Sequence, residues 1–104
     1  MLENLKAADF AAHLNSKFRV TCPGAEVLEF ELIEAREGPE SAVQESFSVI
    51  FRAPRDAPQV PGLYRLEHDE METMELGLSP FKISEEGLYY EAAFTRLLKR
   101  PVAK

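Results

Sequence analysis

The sequence predicts a mainly β fold, a small antiparallel β-barrel or roll of about six strands with one short N-terminal helix. Three observations carry this expectation. Apolar residues recur at every second position in a series of short runs, the period of a half-buried strand. Between the runs stand Pro-Gly, Gly-Pro and acidic turn pairs. The chain has 104 residues, 45% of them hydrophobic, enough for one core that buries roughly two-thirds of the chain's surface on folding. Residues 1–104 therefore read as a single domain, with a helix over 5–15, a β region over 17–95 and a basic tail over 96–104.

The first element, LKAADFAAHLN, lacks Gly and Pro and places Phe10 and Leu14 one helical turn apart, beside Ala7 and Ala11. Asn4 or Asp9 is suited to cap its start and Asn15 to end it. A helix this short is marginal alone and must dock on the rest. His13 has no second ligand near it in sequence and reads as a packed or solvent-facing side chain.

KFRVTC puts Phe18, Val20 and Cys22 on one strand face. Cys22 is the single cysteine, which excludes an intrachain disulfide and a cysteine-based metal site. On that face it acts as a small buried hydrophobe. Pro23-Gly24 turns the chain. In the next run, over 26–36, Leu28, Phe30 and Leu32 oppose Glu29, Glu31 and Ile33. Glu34 would fall on the leucine face, so the strand is expected to bend or bulge near Ile33. Glu and Leu also favour helix, but the alternation and the preceding turn point to strand. The glutamates from Glu26 to Glu40 then form a solvated face rather than catalytic pairs.

After Gly38-Pro39, Phe47, Val49 and Phe51 alternate with Ser46, Ser48, Ile50 and Arg52 in the best candidate for a central strand. APRDAPQVP follows, and Pro54, Pro58 and Pro61 make it a stiff extended connection. Tyr64, Leu66 and His68 face inward in LYRLEH. Asp69-Glu70 turns into Met74, Leu76 and Leu78, giving a β-hairpin. Pro80 is expected to end that strand, with pairing resumed over 81–83. After Glu85-Glu86-Gly87, LYYEAAF sets Leu88, Tyr90, Ala92 and Phe94 against Tyr89, Glu91 and Ala93. The small Ala92 and Ala93 suggest close packing against the N-terminal helix.

The net charge of −6 disfavours a nucleic-acid partner, whose binding runs on cationic contacts to phosphate. Arg96, Lys99, Arg100 and Lys104 form a cationic end without an acid, read either as a solvated tail or as an electrostatic latch. No signal-type apolar segment and no run long enough to span a membrane occurs, so a soluble, cytoplasmic protein is expected. Glu67, His68, Asp69, Glu70 and Glu72 resemble a metal site in composition only. They lack the glycine-assisted spacing of a hard-cation loop and a second nitrogen or sulfur ligand for zinc. No cofactor is expected. Ser48, His68 and Asp69 are the residue types of a triad, but no motif frames them, and the chain reads as a non-enzyme.

The favoured function is a non-enzymatic protein-interaction or structural accessory module. Ile33, Ile50, Val60 and Tyr89 fall on outward faces and would form its contact surface; an edge strand could also accept a partner strand. The alternative is a small-ligand-binding barrel with Tyr64 and His68 as polar handles.

ESFSVIFRAP, PQVPGLYRLEHDEMETMELGLSP and LYYEAAF, preceded by AADFAAHLNSKFRV, together resemble a bacterial small-domain family of unknown function. The resemblance spans nearly the whole chain. It departs by one inserted residue in PQVPGLY and by the basic tail. Its motifs are core alternation and turn chemistry, so it carries no catalytic residue. It implies an accessory partner in a phage-tail-like assembly, beside a fibre or collar-type protein.

Overall fold

The structure, a computed structural model, describes residues 6–24, 26–38 and 44–97. Its elements are α1 (Ala7–Ala11), β1 (Lys17–Thr21), β2 (Val27–Glu37), β3 (Gln44–Ala53), β4 (Gly62–His68), β5 (Met71–Ser84) and β6 (Gly87–Leu97). The strands are antiparallel and close into a barrel in the order β1-β2-β3-β6-β5-β4. Closure is made by β1 against β4, with Val20 opposite Leu66.

Two long strands turn the corners of this barrel by changing partner. β2 pairs β1 through Val27–Glu31 and then β3 through Glu31–Glu37, and its register skips between Leu32 and Glu34. That is the bulge the misplaced Glu34 predicts: Ile33 is the extra residue, and beyond it Ala35 rather than Glu34 is packed against the core. β5 pairs β4 as far as Leu78 and β6 from Ser79, with a second skip between Pro80 and Lys82. Pro80 therefore does not end the strand. A bulge leaves the ladder locally disrupted, so a residue without an N–H is tolerated there.

Fully buried side chains fill the barrel: Phe18, Phe30, Phe51, Tyr64, Tyr90, Val20, Val49, Leu32, Leu66 and Leu78 all have under 2% of their surface exposed. The inward faces read from alternation are the observed ones, Cys22 included. On the outside, Arg52 Nη2 meets Glu31 Oε1 at 2.5 Å across the β2–β3 pair. Arg19 reaches Asp69 at 3.2 Å and Glu67 at 3.8 Å. The exposed Arg19 pairs add at most about 1 kcal/mol each, whereas the Arg52–Glu31 pair is half-buried.

One end of the barrel is covered by α1. This helix is shorter than expected, ending at Ala11 and continuing as turns to Asn15. Asn15 takes φ 69°, a left-handed conformation open to Asn at modest cost. Asp9 holds the helix start, its Oδ2 accepting the Lys6 N–H at 2.8 Å, while Asn4 lies outside the described residues. The helix packs on β2 and β3, and Phe10 meets Phe47 and Phe94, whose rings stack 4.5 Å apart. The Ala92-Ala93 pair is not its seat. Ala92 is buried opposite Val49, and Ala93 is exposed.

The other end carries the β1–β2 turn, the loop over 54–61 and the β5–β6 turn. There Gly87 closes onto β3: a Cβ at this position would collide with the Ala53 carbonyl oxygen, and φ is +155°. The tail over 98–104 lies outside the described residues.

Phe51 is central to this packing, its neighbour Phe18 lying edge-on at 5.3 Å. Phe51→Ala is expected to destabilise the protein by about 3–5 kcal/mol in urea unfolding. Leu63→Ala, at an exposed position, is expected to stay within about 0.5 kcal/mol of wild type.

Candidate functional site

The proline-rich loop is held from below by two tyrosines. Tyr64 on β4 and Tyr90 on β6 are fully buried, their rings 5.5 Å apart, with Phe30 stacked on Tyr90 at 5.0 Å. A buried phenol needs an acceptor, since leaving it unpaired costs about 1–3 kcal/mol. The Tyr64 hydroxyl donates to the Val60 carbonyl at 2.6 Å, and the Tyr90 hydroxyl donates to the Pro58 carbonyl. Ala57 N–H closes a turn on the Pro54 carbonyl at 3.0 Å, and Ala57 itself is buried in the core. Burial pushes both phenols up from their ordinary value near 10, Tyr90 the further. The Cys22 thiol is raised as well, first by burial and then by Glu26.

Tyr64 and His68 do not share a pocket. They sit toward opposite ends of β4, and Tyr64 faces packed aromatic rings rather than a cavity. The grooves lie elsewhere: one is lined by Leu63, Gly77, Ser79 and Ala93, another by Gln59, Phe81, Lys82 and Ile83, and a third by Lys6, Glu37, Gly38 and Ser46 where α1 meets β2 and β3. The polar handles of a ligand-binding barrel are thus both engaged elsewhere.

His68 belongs to the helix end, half-buried against Phe18 at 4.5 Å and His13 at 4.8 Å between ring centroids. The Glu70 N–H donates to its Nδ1 at 3.0 Å. Its Nε2 lies 2.9 Å from Ser16 Oγ, which donates its own proton to the His13 carbonyl at 2.5 Å. The two contacts assign the proton to Nε2. A serine base needs a lone pair at that nitrogen, so Ser16 and His68 form a structural tie between helix and hairpin. Ser48 lies on β3, which does not pair with β4, and Asp69 is bonded to Arg19. Among the described residues no three His, Cys, Asp or Glu side chains gather to hold a metal.

The expected contact surface does not assemble as one patch. Ile50 lies outside the core cluster yet is only 6% exposed. β3 is paired on both sides, and Glu34 and Glu91 flank Ile50, so its outward side chain is covered. Ile33 is half-buried at its bulge. Tyr89 is half-buried too, with Lys82 Nζ 5.2 Å from its ring centroid. Val60 alone of the four is exposed. Among the described residues the exposed large apolar side chains are instead Leu63 (66%), Val27 (59%), Phe81 (52%), Ile83 (46%) and Val60 (45%) toward the loop end, with Leu14 at the helix end. Leu63 was legible from the alternation of its strand. Phe81 and Ile83 were not, because the bulge breaks the period beside them.

The fold and site define a small closed antiparallel barrel with a packed interior and an apolar rim around an anchored loop. Residues 5–94 match the family model described as a domain of unknown function, DUF6916, and the chain belongs to that family. No curated protein and no solved structure matches it. No described helix is long and apolar enough to cross a membrane.

Because both tyrosines ionise above their unfolded value, the folded state holds protons that the unfolded chain releases. Stability is therefore expected to fall as pH rises past about 10. Tyr90→Phe removes one such group and is expected to make that alkaline decline shallower. At neutral pH it should cost about 1–2 kcal/mol through the orphaned Pro58 carbonyl. Urea titrations of both proteins from neutral to alkaline pH check both signs.

Proposed function

We propose that the chain is a non-enzymatic protein-interaction module that presents its loop end to a protein partner. The carrying observation is the exposure of Leu63, Val27 and Val60 around a loop fixed by two buried hydroxyls. Large apolar side chains held out in water at one end of a small domain favour association. A loop already ordered has little entropy left to lose on binding. The filled interior favours this reading over a ligand-binding barrel, which needs a cavity.

The partner we propose is a fibre- or collar-type protein of a phage-tail-like assembly. That finer reading rests on the resemblance of the sequence motifs, not on the barrel.

The test is affinity capture of tagged protein from its native cells, comparing wild type with Leu63→Asp and Val60→Asp. Both variants should melt like wild type, as exposed substitutions generally do. Wild type is expected to retain one stoichiometric protein, and the variants to lose it. Equal recovery by wild type and variants would place the interface elsewhere, and an empty capture would sink the module reading.

A further inference from the structure

Beyond Leu78, where Gly62 ends the β4 pairing, β5 continues as Ser79–Ser84 with β6 on one side only. Among the described residues no strand pairs with its other edge. Phe81 and Ile83 stand on this segment, 52% and 46% exposed. An open strand edge with apolar side chains is a template for another strand.

The hairpin geometry identifies which backbone groups are free. Ser84 faces Gly87 across the Glu85-Glu86 turn. In a two-residue hairpin the closing pair exchanges both hydrogen bonds, and the next pair points its N–H and C=O outward. The next pair is Ile83 and Leu88, and Leu88 accordingly faces Ala53 on β3 from its other side. Ile83 has no such neighbour, so its N–H and C=O face the open edge.

We propose that this edge pairs with the same edge of a second copy, forming a two-fold dimer centred on Ile83 opposite Ile83. In that register the two isoleucines exchange a pair of backbone hydrogen bonds. Lys82 faces Ser84 of the second copy and lies diagonal to its Glu86, a favourable opposite-charge arrangement. A register centred one residue earlier would set Lys82 against Lys82 and is disfavoured. Pro80 and the adjacent bulge stop the pairing from extending, and two-fold symmetry closes it, so the product is a dimer rather than a fibre. The contact is short, and the dimer is accordingly concentration-dependent.

Sedimentation equilibrium of the full chain from roughly 1 µM to 1 mM is the test. Wild type is expected to pass from one-copy to two-copy mass. Ile83→Pro removes the outward N–H without touching the β6 ladder and should raise the dissociation constant at least about tenfold. Should that variant fold poorly by circular dichroism, Lys82→Glu serves instead, because it sets like charges diagonally across the pair and weakens the dimer, most strongly at low salt. One-copy mass at every concentration would overturn the proposal, as would a dimer indifferent to folded variants. A monomer whose Ile83 amide gains exchange protection only with a different protein would overturn it too, assigning the edge to that partner's strand. The dimer is independent of the Leu63 and Val60 surface: a monomeric protein that still loses its partner through Leu63→Asp would refute the dimer and leave the interaction reading standing.

Discussion

Two phenol hydroxyls inside a packed barrel set the terms for the rest of this fold. Tyr64 and Tyr90 supply ring surface that the core needs, but each brings a polar atom that must be satisfied where there is little water. The barrel wall cannot serve, because its backbone groups are taken by strand pairing. The acceptors come from outside the wall, from the Val60 and Pro58 carbonyls of the loop between β3 and β4. Satisfying the core therefore fixes the loop. Its prolines also restrict the unfolded chain and reduce the entropy lost on ordering it.

A second constraint acts on the strands. A six-stranded ring must bend to close, and its ladders are interrupted by bulges between Leu32 and Glu34, between Leu66 and His68, and between Pro80 and Lys82. From Ser79 on, β5 runs past the start of β4, and among the described residues no strand pairs with its other edge there, where Phe81 and Ile83 stand. At the other end, α1 and the Ser16–His68 tie seal the barrel from inside and from the side.

The inward faces were legible in the sequence because burial on one side imposes period two, and Phe47, Val49 and Phe51 have no other reason to alternate. The bulge near Ile33 was legible too, since Glu34 could not be left on the leucine face. Less was legible where long-range contact decides. Ile50 alternates outward as read, but its burial depends on both neighbouring strands being present. Ser16 and His68 meet across 52 positions of sequence, and no local pattern announces it. Likewise, Tyr64 read as an inward residue without showing that its hydroxyl reaches the loop. The exposed apolar positions differ from those read for a related reason: of the four expected, only Val60 is exposed, and Phe81 and Ile83 are exposed on a strand that Pro80 was expected to end.

The central claim is that the core orders the loop over 54–61. The most direct test is amide hydrogen exchange of the full chain at neutral pH, read at Ala57, whose N–H closes the turn on Pro54. Exchange of Ala57 within about tenfold of the β3 amides is the expected result, since opening the loop would strand two buried hydroxyls. Exchange at the rate of an unstructured peptide, with β3 still protected, would contradict the account and detach the loop from the core.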